Sequence, residues 1–330
     1  LLLEDLADCV LHGVAKLTEL QESNPNAQIN TGTHQEDQHP GTPGNSVEKP
    51  DKFCKSHVYS SLFQRIIFTI TDTAAIAVNG KVTVELYSTK VINGSVSMYE
   101  NANFRLEMND SEIDYKSDKY CALALEGQGT AIINNSNIHG SINTFAKTNA
   151  ELDINNSEAD YILLHGQTWM NMLNSTVRAK DDSCLYLSDD CWSNIMNSKF
   201  NGGVYIDKKT RTIIQNCTIN RMVVINEAKV TMSNSTVTAH SDFQDQSSCE
   251  ATRVSFMGNM DYEYFLALSG NANLRGHDLL LHPNGADLAI QDEAKLHTNV
   301  IADKGEKLSV ECDKRPNVYI LGVQWTTKRK

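Results

Sequence analysis

The sequence is poor in proline, aromatic residues and basic charge, and these shortages argue against long irregular loops and against a nucleic-acid partner. Only 6 of the 330 residues are proline and 7% are aromatic, which indicates regular structure with little irregular loop. Basic residues number 29 against 41 acidic residues, so the net charge is −12 and the pI is about 5.3. Because phosphate binding needs a cationic surface, this charge argues against nucleic acid as a main partner.

Long apolar runs and paired cysteine motifs are missing as well. No run of about 18 apolar residues occurs, so no membrane insertion is predicted. The first ten residues show neither a basic leader nor a small-residue cleavage site, and no signal peptide is predicted. The 8 cysteines form no Cys-x-x-Cys pair, which argues against a zinc finger or a thioredoxin-like site. They are expected to be mainly reduced or buried thiols, although Cys184 and Cys191 are close enough in sequence to form a disulfide.

The amino-terminal part of the chain divides into two segments. Residues 1–20 place apolar residues at spacings of three and four, which predicts an amphipathic helix. Residues 21–52 are polar and rich in Asn, Gln, His, Pro and Gly, which is typical of a flexible linker. After this linker, β-branched residues and Asn-Gly steps predict that strands begin.

A short motif recurs through the middle of the chain. Its copies include INNSNI (133–138), INNSEA (154–159), MLNSTV (172–177) and IQNCTI (214–219). The central Ser or Cys of seven copies stands at positions 111, 136, 157, 175, 198, 217 and 235, so successive copies are 18 to 25 residues apart. The preceding residue is Asn in every copy except the first, which has Asp110.

The residues around this central position form columns of constant character. The position just after it is polar in every copy, whereas the positions three before and two after are always apolar. The earlier apolar column consists of Met108, Ile133, Ile154, Met172, Ile195, Ile214 and Met232. The later one consists of Ile113, Ile138, Ala159, Val177, Phe200, Ile219 and Val237. Such alternation predicts two strands that meet at a corner and bury one face.

Few architectures have a repeat of about 21 residues. Leucine-rich repeats need a Leu-x-x-Leu-x-Leu frame, which is absent, whereas a parallel β-helix fits every column. In a β-helix, equivalent residues of successive turns stack about 4.8 Å apart. Asparagine suits the corner because it tolerates the left-handed backbone conformation, and stacked asparagines can bond amide to amide. The sequence therefore predicts an all-β solenoid over residues 53–312.

Because an uncovered last turn would expose an unpaired strand edge, both ends of the solenoid are expected to be capped. The predicted helix at 1–20 would cap the amino end. Residues 313–330 are predicted to form a cap strand and a basic tail at the other end.

The pattern of these turns resembles the right-handed parallel β-helix proteins, the pectate-lyase-like group that includes autotransporter passengers and phage tailspikes. The resemblance covers about residues 65–310 and lies in the repeat alone. It implies a single-stranded, right-handed parallel β-helix. The expected location is secreted, cell-surface or virion-associated, or the host cytosol for a translocated effector.

The chain lacks the Asn-Thr-Asp, Arg-Ile-Lys and Trp-x-Asp-His motifs of the enzymes in this group, and no catalytic residue, metal or cofactor is predicted. Its best candidate site surrounds AKDDSCLYLSDDCW (179–192). The acidic doublets there could act as acid and base, bind calcium, or belong to a solvated turn. We interpret the segment as a ligand-binding edge without hydrolytic activity, formed by Asp181, Asp182, Asp189, Asp190, Trp169 and Trp192.

Two classes of function follow from this fold. The first is a non-catalytic binding or structural solenoid that recognises a protein or a glycan, and the second is a polysaccharide hydrolase or lyase. Four of the six intervals between motif copies are 21 residues or shorter. Little chain is left to wall a deep cleft, which favours the binding module. The oligomeric state stays open.

Two further sequence patterns, the histidines beside glycines and the Asn-x-Ser/Thr sequons, are interpreted from their positions in the repeat. His139, His165 and His277 lie beside glycines but at different positions in the repeat, which argues against a metal site. Asn-x-Ser/Thr sequons, which mark glycan acceptors in secreted eukaryotic proteins, mostly coincide with the corner. They begin at Asn93, Asn109, Asn134, Asn155, Asn174, Asn216 and Asn234.

Overall fold

The computed structural model describes residues 74–115, 117, 121–179, 182–300, 308–312 and 317–329, and the backbone of Leu2–Leu3, Leu11–His12, Cys54–Tyr59 and Ile66–Thr69. Every strand in this part pairs in parallel with a strand one turn away, so the chain forms a parallel β-solenoid of about 11 turns. None of the described residues is helical. The predicted all-β solenoid is therefore confirmed.

The strands stack into three ladders, and ladder 1 is the longest. Successive strands of ladder 1 are separated by one complete turn of the solenoid. Its strands are Leu11–His12, Cys54–Tyr59, Lys81–Tyr87, Asn103–Asn109, Gln128–Asn134, Asn149–Asn155, Gln167–Leu173, Trp192–Met196, Arg211–Gln215, Lys229–Ser233, Ser248–Thr252, the first half of Asn273–His282, Lys295–Val300 and Asn317–Leu321.

Ladders 2 and 3 follow ladder 1 in each turn, and several long strands pass through both. Ladder 2 holds Ile66–Thr69, Thr89–Ile92, Glu112–Asp114, Thr176–Val177, Ser255–Met257 and the end of Asn273–His282. Ladder 3 holds Leu2–Leu3, Ala74–Val78, Ser95–Met98, Leu123–Leu125, Ser183–Leu187, Tyr264–Leu268, Asp287–Ile290, Leu308–Cys312 and Trp325–Arg329. The strands shared by both are Asn137–Thr144, Glu158–Leu164, Lys199–Ile206, Thr218–Val224 and Thr236–Phe243.

The corner between ladders 1 and 2 is built on the asparagines that precede the central Ser or Cys. Each of them has a positive φ, as in Asn135 (49°), Asn174 (51°) and Asn216 (53°). This left-handed conformation is costly for most residues and mild for asparagine, so the predicted reason for the repeated asparagine is confirmed. The two apolar columns on either side are buried along their whole length, as predicted.

The central serines form a hydrogen-bonded ladder inside this corner. The Ser136 amide donates to Ser157 Oγ at 3.0 Å, and the Ser157 amide donates to Ser175 Oγ at 3.1 Å. Each hydroxyl in turn donates to the carbonyl two residues earlier, as Ser157 Oγ does to the Asn155 oxygen at 2.7 Å. A buried polar group without a partner destabilises a fold; here each amide has an acceptor, and each hydroxyl both accepts from an amide and donates to a carbonyl.

Asparagine side chains bond along the solenoid axis as well, as the sequence predicted. Asn155 Nδ2 donates to Asn134 Oδ1 at 3.0 Å, and Asn134 Nδ2 donates to Asn109 Oδ1 at 2.9 Å. A second row at the corner itself joins Asn216 to Asn197 at 3.1 Å. Five of the seven sequon asparagines, namely Asn109, Asn134, Asn155, Asn174 and Asn216, are therefore members of these ladders.

The ends of the chain are described in part. Leu2–Leu3 pairs with Ala77–Val78 and Leu11–His12 pairs with Val58–Tyr59, in each case as a strand. The rest of residues 1–20 lies outside the described residues, so the predicted cap helix is not confirmed. The predicted linker at 21–52 lies wholly outside them. Within 313–330, the described strands continue ladders 1 and 3.

The described cysteines carry free thiols, and all except Cys121 are buried. Cys184 and Cys191 form no disulfide, because Cys184 lies at the start of the strand Ser183–Leu187 and Cys191 lies on the corner beyond its far end. The Cys184 thiol donates to the Gly203 carbonyl at 3.4 Å, whereas Cys191 Sγ lies 3.8 Å from the Gly166 carbonyl. The suggested disulfide is therefore wrong. Burial raises the pKa of Cys184 to about 12 and that of Cys191 to about 11.

We expect the buried thiols to resist alkylation in the folded protein. Because the thiolate is the nucleophile, a raised pKa combined with burial should keep Cys184, Cys191, Cys217 and Cys249 unlabelled by iodoacetamide at pH 8, while Cys121 reacts first. All four should react once the chain is unfolded. Peptide mapping by mass spectrometry reads out each site, and rapid native labelling of Cys184 would contradict its inward position.

Candidate functional site

Trp169 and Trp192 form a pair of neighbouring rings on the outer face of ladder 1. They are register partners on adjacent turns, with ring centroids 5.0 Å apart and ring planes at 32°. Trp169 is 54% exposed, whereas Trp192 is half-buried. A well-placed aromatic pair contributes about 0.5–1.5 kcal/mol beyond burial. An indole left this exposed loses much of the stabilisation that burial would give, which makes the pair a candidate contact surface.

Charged residues border the tryptophan pair in the same column. Glu151 pairs in register with Trp169 on one side, and Arg211 pairs with Trp192 on the other. Both charged side chains are exposed. The column therefore runs from an acidic group through two aromatic rings to a basic group within four successive strands.

A second outward column, two residues further along each strand, carries amides. Asn171 Nδ2 donates to Asp153 Oδ1 at 2.9 Å, and Asn194 is the register partner of Asn171. All three side chains are half-buried. Amide and carboxylate groups at this position can donate to and accept from a ligand. We call the two columns together the tryptophan face, which comprises Glu151, Asp153, Trp169, Asn171, Trp192, Asn194 and Arg211.

Asp189 lies on the corner between ladders 3 and 1, where its side chain is already engaged. Its carboxylate accepts from the Gly166 amide at 3.1 Å and from Lys208 Nζ at 2.6 Å, and His165 Nδ1 lies 3.4 Å away. The bond from Lys208 lowers the pKa of Asp189, outweighing the opposing effect of partial burial. A carboxyl held ionised in this way is a poor proton donor, so Asp189 does not suit the role of general acid.

The same corner uses aspartate repeatedly to hold the fold. Asp245 accepts from the Asn226 amide at 3.3 Å, and Asp292 accepts from the Gly270 amide at 3.0 Å, as Asp189 does from Gly166. All three aspartates have a positive φ. The position of Asp189 therefore has a structural explanation in the repeat.

The other predicted acidic residues do not gather around Asp189. Asp190 is exposed on the same corner, but Asp182 is exposed beyond the opposite end of the strand Ser183–Leu187. At about 3.3 Å per residue, Asp182 and Asp189 are roughly 20 Å apart along the strand. Paired glycosidase carboxylates stand about 5–9.5 Å apart, so these two aspartates do not form such a pair. Asp181 lies outside the described residues.

Among the residues that the structure describes, no three His, Cys, Asp or Glu side chains come together as a metal site. His139 lies on ladder 2, His165 follows ladder 3 and His277 lies near the end of ladder 1, so they occupy different parts of the turn.

The sequence prediction grouped the two tryptophans with the aspartates because they are close in sequence. In the fold, the tryptophans instead lie beside each other and beside the column that carries the amides. Trp169 stands six residues before Ser175, and Trp192 stands six residues before Ser198. This equal offset places both rings at one position of the repeat. The same counting identifies Glu151, Asn171 and Asn194 as their neighbours, which reading the acidic segment alone missed.

A second aromatic group lies on the outer face of ladder 3. The Tyr186 ring is 6.4 Å from Tyr205 and 5.9 Å from His165, measured between centroids. Tyr186 Oη donates to Asp207 Oδ2 at 2.9 Å, and partial burial together with this bond raises the pKa of Tyr186. Asp207 is buried and also accepts from the Lys208 amide at 2.6 Å. These two groups satisfy each other, which indicates a structural role.

In comparisons with known proteins, no family model, no curated protein and no solved structure matched this chain. Within the described ranges, no helix has the length and apolar character needed to cross a membrane.

Proposed function

We propose that this chain is a non-catalytic β-solenoid that binds a glycan through the tryptophan face. The observation that carries the proposal is the stacked pair of Trp169 and Trp192, with Trp169 54% exposed on a regular sheet. The exposed aromatic surface offers apolar contact to sugar C–H groups, and the indole N–H groups are hydrogen-bond donors.

The surroundings of the pair support a glycan as the ligand. Because Trp192 stacks on one side of Trp169, a sugar would contact the other side, next to Glu151. The amides of Asn171 and Asn194 and the carboxylate of Asp153 supply both donors and acceptors for hydroxyl groups. A protein partner with a basic patch is the alternative occupant, since Glu151 and Asp153 are acidic.

A polysaccharide hydrolase or lyase has less support. The separation of Asp182 from Asp189 and the lowered pKa of Asp189 both disfavour an acid–base pair at the predicted segment. The right-handed winding implied by the resemblance stays a prediction, which the usual hand of crossovers between parallel strands favours. The amino-terminal cap helix and the secreted, surface, virion or effector location stay predictions as well.

The test is a panel of immobilised polysaccharides and glycans, scored for both binding and cleavage. We expect one glycan class to bind without being cleaved, and Trp169→Ala or Trp192→Ala to weaken that binding at least about tenfold, or about 1.4 kcal/mol. Tyr319→Ala is the matched control, because Tyr319 is a 58% exposed aromatic on the last strand of the same ladder, far from the tryptophan pair.

Three outcomes would overturn the proposal. Glycan binding that survives both tryptophan substitutions would place the ligand elsewhere. Binding to proteins alone would favour the alternative occupant. Cleavage of a polysaccharide that disappears in a variant with Asp181, Asp182, Asp189 and Asp190 all changed to Asn would make the protein an enzyme.

A further inference from the structure

Arg221 stands at a bulge on the outer side of the solenoid. It belongs to the strand Thr218–Val224, and the register of this strand shifts between Ile219 and Arg221. Its register partners are Gly203 on the preceding turn and His240 on the next. A bulge re-aims the side chain that follows it, and Gly203 puts no side chain beside Arg221.

Two tyrosine rings hold the guanidinium group of Arg221. Its central carbon lies 5.7 Å from the ring centroid of Tyr205 and 5.9 Å from that of Tyr262, both within cation–π range. Tyr205 lies over Gly203, where an added Cβ would come within 2.8 Å of its ring. His240 stacks on Tyr262 with centroids 5.3 Å apart and planes at 14°. The guanidinium is therefore held by aromatic neighbours rather than by acids.

Arg221 differs from every other arginine whose side chain the structure describes. Arg178 is equally half-buried, but it pairs with Glu158 and with Asp160, the latter at 3.0 Å. The exposed arginines are Arg105, Arg211, Arg253 and Arg275. Arg221 is half-buried, has no carboxylate within ion-pair distance in the described chain, and its Nε is shielded from solvent without an acceptor. Its charge has lost part of its hydration without gaining a carboxylate partner.

We propose that Arg221, between Tyr205 and Tyr262, is a binding site for an oxyanion group, either a carboxylate or a phosphate. A planar guanidinium offers two parallel N–H donors that match both groups, and the flanking rings restrict its orientation before the ligand arrives. A ligand that carries its oxyanion on a ring gains contact with the tyrosine faces.

Anion binding at Arg221 depends neither on the net charge of the protein nor on the tryptophan face. The net charge of −12 opposes anion binding, but exposed charges are largely screened beyond about 8 Å at physiological ionic strength. Close to the site, the positive charge of Arg221 therefore outweighs the distant acidic residues. Arg221 lies on another part of the turn from the tryptophan face, so the two proposals stand or fall separately.

The test is an NMR titration of the arginine Nε–Hε signals with sodium phosphate and, separately, with sodium acetate, at constant pH and ionic strength. We expect a saturating shift of the Arg221 signal with at least one salt, while exposed Arg253 stays nearly constant. The salt that saturates at the lower concentration identifies phosphate or carboxylate as the preferred group.

Variants separate binding at this site from binding elsewhere. Arg221→Lys keeps the positive charge but removes the two parallel N–H donors of the guanidinium. We expect this variant to keep its melting temperature and to lose saturable anion binding, measured by the backbone amide shifts around residues 203 and 240. Tyr262→Leu should weaken binding about two- to fivefold. Equal, unsaturated shifts at Arg221 and Arg253, or unchanged saturable binding in Arg221→Lys, would overturn the proposal.

Discussion

Replacing Ile214 with Asp is expected to unfold the solenoid. Ile214 is 0% exposed, and its register partners Ile195 and Met232 are buried as well. No lysine or arginine is buried in the part of the chain that the structure describes, so a carboxylate placed in this column would have no basic partner. An unpaired charge buried there should cost about 4 kcal/mol or more, which is a large share of the stability of a typical domain.

Two controls separate this effect from a general sensitivity to substitution. Thr218→Asp lies four residues further on but faces solvent beside Lys199, so it should shift the melting temperature little. Ile214→Val keeps the apolar character and should cost about 0.5–1.5 kcal/mol. Thermal melts followed by circular dichroism give all three values, and equal losses for Ile214→Asp and Thr218→Asp would show that the inward and outward columns are misassigned.

The second large effect is expected from removing three hydroxyls of the serine ladder. A variant with Ser136, Ser157 and Ser175 all changed to Ala would leave three buried backbone amides without their acceptors, one each on Ser111, Ser136 and Ser157. Each unsatisfied amide costs about 1–3 kcal/mol, so the sum is roughly 3–9 kcal/mol. Urea unfolding should show a much lower midpoint with an unchanged slope.

The chain supplies its own control for this experiment. Cys217 occupies the serine position in one turn, and its Sγ lies 3.1 Å from the Gln215 carbonyl. Ser157→Cys should therefore cost less than Ser157→Ala, because the thiol keeps a weak donor and acceptor in place. If the triple alanine variant unfolds at the same urea concentration as the original chain, the serine hydroxyls contribute no net stability.

The sequence was most informative where one position repeats on every turn. Asparagine before the central serine predicted a left-handed corner, and its positive φ confirms this at Asn135 and its equivalents. Ile133 and Ile138, on either side of the corner, are both buried as the alternation predicted. Such columns can be recognised in the sequence because stacking repeats the same local environment about every 4.8 Å. Equivalent positions on successive turns therefore carry similar residues.

The sequence was least informative where a contact depends on which turns are adjacent. Trp192 is close to Asp189 in sequence, but its ring partner is Trp169 on the preceding turn. Asp189 instead bonds to Gly166 and Lys208, and periodicity alone does not show those contacts. The position of the Arg221 side chain depends on a bulge that shifts the strand register, and no repeated sequence position predicts that bulge.

The stacking of the turns is the claim on which both proposed sites rest, and spin-label distances test it most directly. The outward column that contains Trp169 also contains Arg105, Glu151, Arg211 and Lys295, all exposed and separated by a known number of turns. With one label fixed at Lys295, labels at Arg211, Glu151 and Arg105 lie four, seven and nine turns away. At about 4.8 Å per turn, pulsed electron paramagnetic resonance should give distances near 19, 34 and 43 Å. Distances that fail to increase in this order, or that cluster near one value, would contradict the solenoid.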